Sequence, residues 1–438
     1  MPGLTQELRT KGTRFVRFLW CDNANILRAK VVPIDFLRDA YTRGVGISYA
    51  QQAVPAMRDA FVADSGLGPV GEARLIGDWT SLVHLPYAPG HARVIGDMMV
   101  GGQPWSHCPR AFLRRMVERA ESFGLSLQVA LENEFYLLKP GQGRPEPLDD
   151  TLFCAVHGLN QTGDLFTQFV EALEDQWCRV VQFHPESGGG QLEISVLHTD
   201  PIAAADRQVT FRETIHAVAH RNDLMATFLP KPFPDRAGSG CHIHLSLWKG
   251  DRNITDPKTE SDTTSQHFMA GILEHLPELM ALTTPTRNSY ARLGPHLWSG
   301  AYSCWGYDNR EAAVRLPSSP LGVSHFELKT HDASANPYLA LGGIIALGLQ
   351  GVENKTALGK PVAQDPGLFT DEERQELGIE RLPSELKHAL AALERSEVLK
   401  EAMGEDLHRS YLSVKREELN SVLELSPEEE VDLLLRRY

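Results

Sequence analysis

Four short stretches of the chain alternate apolar residues with residues that can bind metal ions or move protons. In residues 127–137, Gln128, Glu132, Glu134 and Tyr136 share one face, opposite Leu127, Val129, Leu131, Phe135 and Leu137, because side chains along a strand alternate with period two. In 191–196, Gln191, Glu193 and Ser195 oppose Leu192, Ile194 and Val196. In 240–248, His242, His244 and Ser246 oppose Cys241, Ile243, Leu245 and Leu247, and in 324–330, His325, Glu327 and Lys329 oppose Phe326 and Leu328. One such face would be an ordinary solvated strand. Four of them, rich in Glu and His and poor in compensating charge, are not.

Brought together, Glu132, Glu134, Glu186, Glu193 and Glu327 repel one another by about 4 kcal/mol per pair at ~4 Å near a protein surface. Hard divalent cations resolve that conflict. Carboxylate oxygens with an imidazole suit Mg²⁺ or Mn²⁺, and five carboxylates can hold two or three such ions. A second set is basic: Arg292 in NSYARL, Arg310 and Arg315 in DNREAAVRLP, and Lys329 beyond Glu327. Arginine forks beside metals match phosphate oxygens and substrate carboxylates. With no nucleophilic Ser, Cys or Lys motif, the combination points to phosphoryl transfer by positioning and charge neutralisation. A G-x-x-x-x-G-K-[ST] loop and a kinase signature are both missing, so another fold must hold the nucleotide.

These strands need a scaffold, and 438 residues are enough for about two or three domains. Residues 13–33 read as two strands around the turn Asp22-Asn23-Ala24-Asn25. Residues 1–103 form a small α+β domain, with a boundary at Gly101-Gly102-Gln103-Pro104, and 104–438 a second domain. A helix starts at Pro109 and stops at Gly124. Residues 384–424 are helical by periodicity, capped by Ser384. Strands and helices mix without βαβ regularity, so the second domain is α+β rather than doubly wound.

Composition closes off other functions. With 57 acidic and 43 basic residues the chain carries −14, and no basic run appears, which argues against nucleic acid and anionic membranes. The apolar stretch from Leu339 to Leu349 carries three glycines and is too short to span a bilayer, and no secretory signal is evident. Six scattered cysteines with no C-x-x-C pair fit neither a zinc site nor a disulfide framework. The expected location is the cytoplasm.

The segments LENEFYLL, HPESGGGQLEI, GSGCHIHLSL, NSYARL, NREAAVRLP and FELKTHDASANPYLAL together resemble the glutamine synthetase family, in order and approximate spacing, from about residue 13 to the C-terminus. The resemblance implies an N-terminal β-grasp domain and a catalytic domain whose antiparallel strands form a funnel-like half-barrel. It also implies ring-shaped homo-oligomers, expected here as a double-ring dodecamer, with active sites shared between neighbours. It makes Glu134, Glu186 and Glu193 ligands of a metal near the substrate glutamate, and Glu132, His242 and Glu327 ligands of a metal bridging the nucleotide phosphates. Arg292, Arg310 and Arg315 then hold the glutamate carboxylate and the transferring phosphate, Gly238 contacts glutamate, and Ser246 contacts ATP. The implied reaction joins an amine to the γ-carboxylate of L-glutamate through γ-glutamyl phosphate.

Departures from the family pattern narrow the substrate. Trp298 stands where ammonia-using members carry a flap glutamate, and Ala50 stands near their ammonium-site aspartate. Ala237 replaces an asparagine, and Lys329 an arginine. The metal and phosphate residues are complete while the ammonium-binding carboxylates are gone, so the expected substrate is a substituted amine such as methylamine. A glutamine synthetase using ammonia is the alternative, followed by a non-catalytic relative, which the intact six-ligand set argues against. No tyrosine occurs between Tyr338 and Tyr411, so the resemblance implies no adenylylation in the loop after the ANPYLA helix.

Overall fold

The computed structural model describes residues 2–141, 144–258 and 262–438. Strands β1 (Phe15–Cys21) and β2 (Leu27–Pro33) form the first hairpin. Its turn is fixed by Asp22, whose Oδ1 accepts the N–H groups of Ala24 and Ile26 at 3.0 and 2.9 Å, while Asn25 takes a positive φ of 63°. Strands β3 (Val45–Ser48), β4 (Glu72–His84), β5 (His91–Val100) and β6 (Gln103–Pro104) complete a sheet in the order β2-β1-β5-β4-β3, with β6 on β5. The alternating Val16, Phe18 and Trp20 are all buried in its core. Gly101 and Gly102, both at positive φ, make the turn between β5 and β6.

The chain then enters a helix, Pro109–Ser122, whose Arg110 ties the two domains together. Its buried guanidinium bonds Asp78 and Asp97 on the first sheet, at 2.7 Å each, and Asp206 on a second-domain helix at 2.9 Å. Three carboxylates around one arginine meet the requirement that a buried charge be paired.

Among the described residues the second sheet has eleven strands. The main path uses β7 (Ser126–Lys139), β8 (Val180–Pro185), β9 (Gln191–Val196), β10 (Cys241–Lys249), β11 (Tyr302–Tyr307), β12 (Ala312–Leu316), β13 (Phe326–Leu328) and β14 (Glu380–Arg381). Their order is β14-β11-β12-β13-β10-β7-β9-β8, in a nearly closed, barrel-like sheet. The pairs are antiparallel except β11 with β12, which run parallel.

Helices cover the sheet's apolar face. The stretch from Leu339 to Leu349 lies in the helix Pro337–Asn354, which is buried on nearly every side, as a helix apolar all round should be. Glycine permits its close packing: a Cβ at Gly351 would lie 2.2 Å from the His267 carbonyl oxygen, and one at Gly348 2.3 Å from the Phe268 ring. No helix among the described residues is long and apolar enough to cross a membrane.

Two sequence expectations need correction. The 384–424 segment is three helices, Leu386–Arg395, Glu397–Met403 and Glu405–Val422, and Glu385 rather than Ser384 precedes the first. Periodicity misses the breaks because they are local: Ser396 caps the second helix through Leu399 N–H, and Gly404 takes φ 82° before the third. The 324–330 strand pairs only over Phe326–Leu328, so His325 and Lys329 flank it rather than lie within it.

Candidate active site

Cross-strand register assembles the site. Glu134 on β7 faces Glu193 on β9, which in turn faces His184 on β8. Glu132 on β7 faces His242 on β10, His244 faces Glu327 on β13, and Glu327 faces Arg315 on β12. Neighbouring strands bring opposed side chains within about 5 Å, so the polar faces expected from the sequence become one continuous surface.

Two clusters result. In the first, His184 Nε2 lies 3.2 Å from Glu186 Oε1 and His184 Nδ1 3.8 Å from Glu193 Oε1. Glu134 adjoins it, with Oε2 accepting the Gly240 N–H at 2.9 Å. In the second, His242 Nδ1 lies 3.1 Å from Glu132 Oε1 and 3.2 Å from Glu327 Oε1, and His244 Nε2 is 3.5 Å from Glu132 Oε2. His242 Nε2 also stands 3.9 Å from Glu134, bridging the clusters.

Burial and mutual repulsion split the carboxylates. Burial, followed by the charges of Glu132, Glu134, Glu186 and Glu327, pushes Glu193 up to about 10. Burial and the Glu186 charge push Glu134 up to about 7. Burial also opposes ionisation of Glu327, but Lys329, His242, His244 and Arg315 outweigh it and hold Glu327 at about 2. Glu132 likewise ends well below its ordinary value, because hydrogen bonds from His242 and His244 overcome its burial.

A divalent cation fits this donor set. His184, Glu186 and Glu193 offer ligand atoms within 4.8 Å of one another, as do Glu132, His244 and Glu327. One imidazole nitrogen aimed at these carboxylates, His184 Nδ1, is buried with no hydrogen-bond partner. Among the described residues, no lysine or arginine forms an ion pair with the carboxylates of the first cluster.

A pH dependence follows. Glu134 titrates near 7 in the folded chain against an ordinary 4.5, so between those values the folded state binds more protons than the unfolded one. Stability of the metal-free protein is therefore expected to fall as pH rises through that window. Metal binding requires the deprotonated ligand, so Mg²⁺ should raise Tm more at about pH 8 than at about pH 6. Thermal melts with and without Mg²⁺ check this, and a larger gain at the lower pH contradicts it.

The basic residues take three different places. Arg315 Nη1 bonds Glu327 Oε2 at 2.8 Å, and Lys329 Nζ bonds Glu327 Oε1 at 3.1 Å. Arg292 is buried, its Nη2 on the carbonyls of Lys329 and His331 at 3.3 and 3.2 Å. It packs on Gly238, where a Cβ would lie 2.5 Å from Arg292 Cγ. Arg310 is exposed, 5.5 Å from the centre of the Trp298 ring and apart from the Glu327 group. Ser246 lines a cleft of about 350 Å³ with Gln128, Glu132, His244, Trp248 and His325, and its Oγ accepts the Trp248 indole N–H at 2.9 Å. Ala50 lies on the short 3-10 turn Tyr49–Ala53 of the first domain, and Trp298 on the loop 294–300 of the second.

Sequence reasoning left His184 out of the ligand set. Its signal was present, since His184 and Glu186 are two apart and so share a face. His244 was placed on the polar face without a role, yet it reaches Glu132 as His242 does. Glu311, which accepts the Trp298 N–H at 2.9 Å, also escaped notice.

Two carboxylate–imidazole clusters on one curved sheet, with arginines and an open cleft beside them, define an enzyme of metal-assisted phosphate chemistry. Residues 3–105 match the glutamine synthetase N-terminal domain and residues 106–433 the glutamine synthetase catalytic domain. The type-1 glutamine synthetase 1 of Dictyostelium discoideum is 36% identical, over 97% of this chain and 90% of that protein. The gamma-glutamylpolyamine synthetase GlnA3 of Streptomyces coelicolor is 35% identical, over 96% and 92%. A solved GmaS/ADP complex superposes with a TM-score of 0.86 at 30% identity, covering 98% of both chains. The chain belongs to the glutamine synthetase family. It is an ATP-dependent glutamate ligase that uses ammonia or an amine.

Proposed function

We propose that the chain joins a substituted amine, such as methylamine, to the γ-carboxylate of L-glutamate. The observation that carries this reading is Trp298, an indole 58% exposed on a loop where the family pattern has a carboxylate. An indole adds apolar area and a π-face that attracts an alkylammonium, by about 0.5–2 kcal/mol. Ala50, in place of the second carboxylate, weakens a site for small NH₄⁺ further. A relative named for γ-glutamylpolyamine synthesis supports the same class of product.

The roles follow from the chemistry of each position. Arg292 and the Gly238 backbone bind glutamate beside Glu134, while Ser246 and Arg315 bind ATP. Two or three divalent cations, Mg²⁺ or Mn²⁺, held by Glu134, Glu186 and Glu193 and by Glu132, His242 and Glu327, would neutralise the phosphate and carboxylate charge. A γ-carboxylate oxygen attacks the γ-phosphorus of ATP and ADP leaves. The neutral amine nitrogen then attacks the acyl carbon, losing a proton, and phosphate departs with the acyl oxygen. Arg310 and Lys329 complete the positive wall around these anions. The family's usual oligomeric habit supports a homo-oligomer, which we take to be a cytoplasmic double-ring dodecamer.

An amine panel tests the reading. With ATP and glutamate present, methylamine or a slightly larger amine should exceed ammonia in kcat/KM by about tenfold, the worth of one methyl group in an apolar pocket. Alkylamines and ammonia are both cationic at neutral pH, so the comparison isolates the pocket. If ammonia beats every alkylamine and polyamine tested, the chain is a glutamine synthetase, the reading that the Dictyostelium relative favours.

A further inference from the structure

The loop carrying Trp298 is held in an unusual backbone conformation by a buried carboxylate. His296 and Trp298 both have positive φ, 61° and 54°. Residues with side chains adopt that region at a cost of order 1–3 kcal/mol each and keep it only when the surroundings impose it. Here the surroundings are identifiable. The Trp298 N–H donates to Glu311 Oε1 at 2.9 Å, and His296 Nδ1 lies 2.6 Å from Asp365 Oδ2. Ser299 Oγ closes the loop on itself, accepting the Gly294 N–H at 3.0 Å and donating to the Gly294 carbonyl at 3.1 Å. Glu311 is in turn anchored, because its own N–H donates to Asn309 Oδ1 at 3.0 Å and Asn309 Nδ2 donates to the Val362 and Gln364 carbonyls. Between Asn309 and Glu311, Arg310 reaches over the Trp298 ring.

Glu311 is buried, with 5% exposure, and its second oxygen has no hydrogen-bond partner. Leaving a buried carboxylate oxygen unsatisfied costs about 1–3 kcal/mol or more. An apolar residue would fill the space without that cost, so something must favour a long acceptor at this position. The bond it makes is to a backbone N–H, which fixes the peptide of residue 298 whatever the side chain.

We propose that Glu311 is a positioning residue for the amine-binding loop: it sets the Trp298 backbone, and through it the wall that meets the incoming amine. The proposal rests on the reading of Trp298 as part of the amine site, but not on which amine is used. Glu311 need not touch any substrate. Its removal should loosen the amine subsite while the glutamate and nucleotide subsites, whose Gly238, Arg292, Ser246 and Arg315 lie outside the 294–300 loop, stay as they are.

The test compares Glu311→Ala with Glu311→Gln, using the amine, ammonia included, that the wild type uses best. Alanine removes the acceptor, and KM for the amine is expected to rise by about tenfold or more, as misplacement of a positioned group does. KM for glutamate and for ATP should change by less than about threefold, since neither is held by this loop. Glutamine keeps the Oε1 acceptor without the charge, and should bring the amine KM back to within about threefold of wild type. Should the alanine variant not fold, Glu311→Asp takes its place, because one methylene less withdraws the acceptor. An amine KM unchanged in the alanine or aspartate variant overturns the proposal. So does a parallel rise in the glutamate KM, or a glutamine variant as impaired as the alanine one. If ammonia proves the preferred substrate, the substituted-amine reading fails, while the ratio of KM effects still decides the role of Glu311.

Discussion

Glu134→Ala or Glu193→Ala is expected to abolish ATP- and glutamate-dependent phosphate release, lowering kcat by about 100- to 1,000-fold or more, as loss of one preorganised charge-stabilising group does. The two carboxylates face each other across β7 and β9 with Glu186 beside them. Burial opposes the charge of each, and the neighbouring carboxylates add to that opposition. That same repulsion makes a second readout available. Deleting one of the repelling groups should leave Tm of the metal-free protein unchanged or higher, and should shrink the gain in Tm produced by Mg²⁺. Loss of activity with a retained melt separates a lost cation site from a lost fold. Near-normal turnover in either variant at saturating Mg²⁺ would remove the assignment.

The double replacement Trp298→Glu with Ala50→Asp should turn the preference from alkylamine towards ammonia, by about tenfold to a hundredfold in the ratio of kcat/KM values. One change removes apolar wall and both restore anionic groups around a small cation. Each single variant should move the ratio only part of the way, since the two residues sit in different domains and, by the family resemblance, meet across a subunit boundary. Competition assays with mixed ammonia and methylamine give the ratio directly. A double variant that keeps the wild-type ratio would show that neither position contacts the amine.

Much of the site was legible because strands encode faces with the simplest of periods. Glu132 with Glu134, and His242 with His244, declare their side of the sheet by alternation alone. Nothing in that alternation states which strand lies beside which. The order that seats β13 between β10 and β12, and so brings Glu327 to His244 and Arg315, comes from how the chain crosses between strands that are separate in sequence. His184 was lost for a related reason: β8 is an edge strand with exposed apolar residues, including Val181 and Phe183, so its pattern did not read as one dry and one chemical face. The C-terminal helices show the converse failure. Their apolar spacing runs nearly unbroken through Ser396 and Gly404, and the breaks depend on one cap and one left-handed glycine. Glu311 carried no periodic signal at all, since its partner is a backbone N–H on a loop.

Glu132 and Glu134 lie two residues apart on a single strand, yet belong to different clusters. The pleat of β7 is therefore a ruler: it sets the two charge centres about 7 Å apart through rigid peptide geometry rather than through side-chain rotamers. A one-residue slip of that strand would turn both carboxylates into the apolar core together. The spacing is thus inherited whole or lost whole. Diversification of this site has little room on the sheet and has to take place in the connections, where a loop such as 294–300 can change its side chains without disturbing the spacing of the two clusters.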